Sequence, residues 1–170
     1  MTEPERNTCT GESTVKRITS VDLAAAADQF SDPNLLAAGK INLIALDAIV
    51  ERLGEKWAQR RDQICDHVDR TLQRRLGSQG YHLRISETDF LICQPELGRF
   101  SGQAACLQIL RDILTYFIGD ATRVEDYVHQ VTKVSATEIQ GSQVRASEVW
   151  QGEQAEREAG APASLGSRWR

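Results

Sequence analysis

The sequence predicts an α+β fold in which an antiparallel sheet carries two helices packed on one face. Residues 81–85 and 90–93 are two short apolar runs separated by only four positions, which favours a tight antiparallel hairpin. Two longer segments, 51–76 and 102–118, place apolar side chains at helical spacing on either side of that hairpin. A hairpin flanked by two helices favours a sheet whose strands are antiparallel.

The first strand is predicted at residues 41–46, where the run Ile-Asn-Leu-Ile-Ala-Leu is nearly all apolar. Such a run is typical of a strand buried on both faces at the centre of a sheet. The helix that follows, at about 51–76, has one apolar face, formed by Leu53, Trp57, Ile64, Val68, Leu72 and Leu76. Its opposite face carries charges of both signs, which is typical of a solvated surface.

Residues 81–85 alternate apolar and polar with period two, as expected of a half-buried strand, and 90–93 supplies its partner. The second helix ends before Gly119, and 127–134 has the β-branched content of a last strand. The resulting order, strand-helix-strand-strand-helix-strand, is the ferredoxin-like βαββαβ arrangement. Because the two middle strands are joined by a tight turn, a doubly wound parallel sheet is disfavoured.

The domain organisation follows from length and composition. A chain of 170 residues with 41% hydrophobic content is long enough for one sizeable core. We expect a single domain over 21–134 that opens with a short helix at about 21–30. Residues 1–20 lack apolar periodicity, and 135–170 grow richer in Gly, Ala, Glu and Ser. We expect the first segment to be disordered and the second to be a mostly disordered tail.

Composition also narrows the classes of function. A formal net charge of −4 gives no basic surface, so we expect no nucleic-acid partner. No apolar run reaches the length of a membrane span, and the acidic N-terminus lacks a signal-peptide core, so we expect a cytoplasmic protein without membrane insertion. The scattered cysteines and histidines predict no metal, cofactor or nucleophilic triad; they are Cys9, Cys65, Cys93, Cys106, His67, His82 and His129.

The predicted hairpin tip reads Arg84-Ile85-Ser86-Glu87-Thr88-Asp89-Phe90, and Asp47 follows the first strand. Over about residues 40–134, the order of elements and these two segments resemble the GGDEF diguanylate cyclase family, whose domain is a nucleotide-cyclase palm. In that family an Asp after the first strand begins a D-x-D-x-F-K pattern, and the tip bears R-x-G-G-D-E-F. The resemblance implies that Asp47, Arg84 and Phe90 keep their family positions.

The departures from the family pattern remove what cyclase chemistry requires. Ser86 and Glu87 stand where two glycines let the turn approach a nucleotide, and Thr88 and Asp89 stand at the acidic pair. Ile49 replaces the second acid of the first pattern and cannot ligate a hard cation. The resemblance therefore implies a vestigial motif with no catalytic residue and no metal.

We expect a non-catalytic GGDEF-like module that regulates or binds another protein in bacterial signalling. Its candidate contact surfaces are the hairpin tip and the 95–100 loop, where Arg99 and Phe100 are residue types found at interface hot spots. The alternative is a divergent nucleotide- or cyclic-dinucleotide-binding domain with weak or no cyclase activity, built on Asp47, Glu87 and Asp89. The family's R-x-x-D product site would fall near 77–80, which does not match it.

Plainer interpretations of the same residues stay open. Asp47 can cap the following helix, whose N-terminus favours negative charge. Ser86 to Asp89 can serve as turn formers, and Arg84 with Glu87 can be a surface pair of small energetic consequence. The chain can also be an unrelated ferredoxin-like domain, and the sequence predicts no oligomeric state.

Overall fold

The structure, a computed structural model, describes residues 15–20 and 22–168, so the expectation of disorder for residues 1–14 lies outside its range. The fold is α+β, as predicted, and is organised around one six-stranded antiparallel sheet. The strands are β1 Val15–Thr19, β2 Ile41–Ala45, β3 Tyr81–Arg84, β4 Asp89–Cys93, β5 Val128–Val134 and β6 Glu138–Gln143. Their order across the sheet is β1-β6-β5-β2-β4-β3.

Six helices accompany the sheet in the described residues. They are α1 Ala24–Phe30, α2 Pro33–Ala37, α3 Asp47–Leu53, α4 Trp57–Arg75, α5 Arg99–Ile118 and α6 Ala146–Arg168. Short 3₁₀ turns, Gly54–Lys56 and Val124–Tyr127, join α3 to α4 and lead into β5. None of the described helices has both the length and the apolar content needed to cross a bilayer.

The first long helix predicted from periodicity is two helices. The chain turns at Gly54, whose φ of 56° is readily adopted by glycine and rarely by other residues. Helix α3 therefore begins at Asp47, directly after β2, and α4 begins at Trp57. Both segments keep the predicted apolar face, so the periodicity located the buried side correctly but missed the bend.

The larger core lies on the face of the sheet that α4 and α5 cover, here called the helix face. Ile44, Phe90, Ile92 and Val128 project from the central strands into a cluster that includes the buried sides of α4 and α5. Both predicted long helices contribute to this cluster, but Ile49 of α3 and Val149 of α6 also belong to it, so more than two helices pack on this face. Burial of side chains of this kind supplies the main stabilising free energy of the fold.

The opposite face of the sheet is also covered. Leu43, Leu91 and Val131 pack there against Leu23, Ala26 and Phe30, which belong to the short N-terminal helix and the residue that precedes it. Helix α1 accordingly confirms the short helix predicted near residues 21–30. Its role is to close the second face, which makes the central strands buried on both sides.

The two terminal segments differ from the expectation of disorder. Residues 15–19 form edge strand β1, which pairs with β6. Beyond residue 135, β6 pairs with β5, and α6 packs along α5. The apolar pattern did not predict β6 or α6 because each has few buried apolar residues. In β6 the strongly buried one is Ile139, and in α6 Val149 is buried while Trp150 is 44% exposed. Pairing with neighbours, rather than an apolar run of their own, holds these segments in place.

Candidate functional site

The predicted hairpin tip is closed by its own side chains. The Ser86 hydroxyl accepts hydrogen bonds from the backbone N–H groups of Thr88 and Asp89 and donates to Asp89 Oδ2 at 2.7 Å. Arg84 Nε donates to the carbonyl of Ser86 at 2.9 Å. No non-glycine residue in the described chain has positive φ, so this turn does not require the glycines it lacks. The tip is an ordered serine turn.

Asp47 and the hairpin tip lie at the same corner of the sheet. The backbone N–H of Leu46 donates to the carbonyl of Thr88 at 2.8 Å, which ties the end of β2 to the tip. Burial raises the pKa of the Asp47 carboxyl, and the nearby charge of Asp89 raises it further, whereas Lys16 lowers it. The structure thus brings Asp47 and Asp89 together, as the sequence motifs imply.

The residue that links the two carboxylates is Lys16, which no motif indicated. Its Nζ lies 3.6 Å from Asp89 Oδ1, an oxygen that is buried and accepts no hydrogen bond within the described chain. The side chain of Asp89 is only 8% exposed, and its other oxygen is taken by Ser86 and Thr88. Lys16 reaches this corner from edge strand β1 and supplies a cation beside two acids.

His129 completes the polar group on this face. It is buried in β5, and its Nδ1 has no hydrogen-bond partner in the described chain. Burial lowers the pKa of His129 to about 4, and the charge of Lys16 acts in the same direction, while Asp126 opposes it. The imidazole is therefore neutral at physiological pH, and Lys16 is the cation of this group.

The remaining motif residues point elsewhere. Glu87 is 63% exposed and its carboxylate contacts Arg61 of α4 at 3.2 Å, away from Asp47. Phe90 is fully buried in the core of the helix face, and Arg84 is exposed. Glu87 therefore does not stand in the corner between the two acids. The described residues contain no cluster of three or more His, Cys, Asp or Glu side chains arranged to hold a metal ion.

Arg99 and Phe100 are not in a loop, contrary to the sequence expectation. They form the first turn of α5, whose N-cap, Gly98, has no capping side chain. The Glu156 carboxylate of α6 takes that role, because it accepts the N–H groups of Phe100 and Ser101 and the hydroxyl of Ser101, each at 2.9 Å. Helix periodicity extended to residue 99 would have found this start; the cap from α6 has no local signal.

A cavity of about 360 Å³ lies between α3 and the end of α5 with the residues that follow it; Ala48 belongs to its lining, whereas Asp47 does not. Arg52, Asp120, Arg123 and Tyr127 are among its lining residues. Arg52 donates to the carbonyl of Ile118 at 3.1 Å, and Arg123 pairs with Asp126. Both guanidinium groups are therefore engaged with the protein itself.

Comparisons with known proteins do not assign the chain to a family. No family model matches the sequence, and no significant match was found to a curated protein or to a solved structure.

Proposed function

We propose that this chain is a non-catalytic GGDEF-like regulatory module that acts through contact with another protein in bacterial signalling. The order of the inner strands, β5-β2-β4-β3, is the one that a ferredoxin-like βαββαβ arrangement requires, which supports the palm topology. Asp47 and Asp89 share one corner, in agreement with the two motifs that carry the resemblance. The proposal includes a cytoplasmic location.

The observation that carries the proposal is the ion pair between Lys16 and Asp89. A two-metal mechanism needs carboxylate oxygens that are free to coordinate cations. Here one oxygen of Asp89 faces the Lys16 ammonium, and the other accepts hydrogen bonds from Ser86 and Thr88. The pair thus has an internal counter-charge, which favours a structural role over catalysis.

The contact surface of this module is the hairpin tip. Its backbone is fixed by the hydrogen bonds of Ser86, while Arg84 and Glu87 remain exposed. A rigid turn that presents both charges to solvent suits recognition of another protein better than it suits the binding of a phosphate group.

The test is a search for nucleotide chemistry in the intact chain. The protein is incubated with GTP or ATP and with Mg²⁺ or Mn²⁺, cyclic dinucleotide is measured, and the thermal midpoint is recorded for each combination and for cyclic dinucleotides. We expect no product and no shift of the midpoint. A ligand that binds only the folded state raises the midpoint by mass action, so an unchanged midpoint shows that the nucleotide does not bind. Formation of cyclic dinucleotide would overturn the proposal.

One observation favours the alternative of nucleotide binding without turnover. The cavity between α3 and the end of α5 has the volume of a small-ligand site, and its wall includes Arg52 and Arg123, each of which also contacts the protein itself. A midpoint shift with GTP that disappears in Arg52→Ala, without product, supports that alternative. Glu55→Ala, at an exposed position in the 3₁₀ turn after α3, serves as the matched control.

A further inference from the structure

A second cavity, also of about 360 Å³, lies at the opposite end of the sheet from the hairpin tip. Gln130 in its wall is paired with Asn42, near the start of β2, whereas Asp47 follows the end of that strand. The walls come from the first turn of α5, from β5 and β6, and from the chain that leads into α6. Nothing in the proposed function uses this cavity.

Arg99 is held on three sides at the mouth of the cavity. Its aliphatic stem packs against Gly39, where a Cβ atom would lie 2.8 Å from Arg99 Cγ. Its Nε donates to Gln130 Oε1 at 3.0 Å, and its guanidinium carbon lies 4.6 Å from the centre of the Phe100 ring. Within the described chain, the two terminal nitrogens of Arg99 make no hydrogen bond or ion pair. The guanidinium group of Arg99 is therefore held in place, while the fork formed by its two terminal nitrogens is unoccupied.

The neighbouring amides are fixed by the same contacts. Arginine is only a donor, so the Gln130 atom that it contacts is the carbonyl oxygen. Gln103, which is 2% exposed, donates Nε2 to the same oxygen at 2.8 Å. The amide nitrogen of Gln130 is therefore left as a donor at the wall of the cavity, beside the Arg99 fork.

Arg99 is the charged group of the cavity that can receive an anion. Arg145 and the carboxylate of Glu148 also line the cavity, but Arg145 is already engaged in an interaction of its own. The Glu156 carboxylate lies outside the lining and interacts with Arg99 through its charge. The side chains of Phe100 and Val149 add an apolar part to the wall. The N-terminal amides of α5 play no part in this argument, because Glu156 already accepts their hydrogen bonds.

We propose that this cavity binds a small anion whose carboxylate or phosphate group is gripped bidentately by Arg99. A planar fork matches two oxygens of either group, and a fork that is already positioned loses little conformational entropy on binding. The amide nitrogen of Gln130 donates to the polar body of the ligand. A volume of about 360 Å³ suits a metabolite-sized molecule.

Such a ligand joins α5 to the chain entering α6. Arg99 and Gln103 belong to α5, whereas Val144, Arg145 and Glu148 belong to the β6–α6 connection and the first turn of α6. A molecule that contacts both walls opposes their separation. Binding should therefore slow local opening of α6.

The test is calorimetric titration of the intact chain with three probes: inorganic phosphate, glycerol 3-phosphate and glutarate. We expect saturable binding of at least one probe, weakened about tenfold or more in Arg99→Ala, since a charge-assisted hydrogen-bond pair is lost. Arg99→Lys keeps the charge without the fork and should bind with intermediate affinity. Arg111→Ala, on the exposed side of the same helix, should bind as the parent does. Inorganic phosphate and glycerol 3-phosphate test for a phosphate ligand, and glutarate tests for a carboxylate ligand.

Hydrogen exchange gives a second readout. In the presence of the tightest probe, backbone amides of residues 146–159 should exchange more slowly, and Arg99→Ala should abolish that protection. If Arg99→Ala does not fold, as judged by its thermal transition, the comparison with Arg99→Lys decides. The proposal is overturned if no probe binds saturably at millimolar concentration, or if the Arg99 variants bind as the parent does. The two proposals fail separately. Formation of cyclic dinucleotide would overturn the proposed function and would leave the anion titration unaffected, because the two cavities lie at opposite ends of the sheet.

Discussion

The carboxylate of Glu156 accepts a hydrogen bond from the backbone N–H of Phe100 at 2.9 Å, so that the last helix caps the first turn of α5. The first N–H groups of a helix have no partner within the helix and need an acceptor from elsewhere. Burial raises the pKa of Glu156, but hydrogen bonds from Phe100 and Ser101 outweigh it, and the pKa lies below its usual value. The carboxylate that caps α5 is therefore the same group that holds α6 against it.

Glu156→Ala should lower the free energy of unfolding by about 1–2 kcal/mol, because loss of a helix cap has this cost. Urea unfolding measures the difference. Hydrogen exchange in residues 146–159 should rise as well, since the same carboxylate holds α6 against α5. Glu158→Ala, at an exposed position two residues later, should change stability by less than about 0.5 kcal/mol. Equal effects of the two substitutions would contradict the capping role.

Gly152→Ala tests how closely α6 approaches α5. In an exposed helix this substitution stabilises by about 1 kcal/mol, because alanine has the higher helix propensity. Here the new Cβ would lie 2.1 Å from a ring carbon of Phe100, so the helices must separate or the ring must move. We expect a loss of about 1–3 kcal/mol instead, measured by urea unfolding.

The sign of that change is the decisive result. Gln151→Ala, at the neighbouring exposed position, is the matched control and should be neutral or slightly stabilising. A Gly152→Ala variant more stable than the parent would mean that α6 does not pack against Phe100 in solution.

Lys16→Met removes the ammonium and keeps an unbranched stem of similar length. Asp89 Oδ1 would then be buried without a partner, which costs about 1–3 kcal/mol of unfolding free energy. Adding Asp89→Asn should recover part of that loss, since the buried group is then neutral. Thermal and urea unfolding of the two single variants and the double variant measure the coupling.

Lys133→Met is the control for that cycle. Lys133 pairs with Glu138 at 3.3 Å, but its side chain is 53% exposed, so the pair contributes little. A change of less than about 0.5 kcal/mol is expected. If Lys16→Met is equally mild, the ammonium of Lys16 is not the counter-charge of Asp89.

Stability should fall as the solution is acidified, because of His129. Its pKa is about 4 in the folded protein against a usual value of 6.5, so the unfolded chain binds the extra proton between these values. The contribution is complete above the unfolded pKa and is lost as pH falls through the window towards the folded pKa. Between about pH 7.5 and about pH 5 the loss should be roughly 2 kcal/mol.

Urea unfolding at several pH values measures this slope. His129→Gln carries no proton in either state, so its slope across the same window should be shallower than that of the parent. The difference between the two slopes isolates the imidazole from the carboxyl groups, which titrate in both proteins. Parallel slopes would show that His129 is solvated in solution.

Local patterns were sufficient for the inner part of the sheet. The short spacing between the runs at 81–85 and 90–93 left no room for anything but a hairpin, and the apolar run at 41–46 matched a strand covered on both faces. The bend at Gly54 was missed because periodicity on both sides of it continues. The bend depends on the positive φ of one residue, which a hydrophobic pattern does not record.

The candidate site was predicted only in part, for a related reason. Asp47 and Asp89 were expected together because the resemblance to the GGDEF family places them in its two motifs, and the sheet brings both residues to one corner. Lys16 was missed because its contact with Asp89 depends on β1 and β6, neither of which has a strong apolar run. Glu156 was missed because its acceptor role depends on where α6 docks. Tertiary pairing, not local propensity, places both residues.

Among the described strands, β1 pairs with β6 alone, and β6 lies more than a hundred positions later in the chain. During synthesis at about 5–20 residues per second, the earlier strand must wait on the order of 10 s for its partner to be made. Until then Asp89 has no ammonium beside it. The growing chain therefore passes through a state in which Asp47 and Asp89 lack the Lys16 ammonium, although Lys16 is translated before either acid.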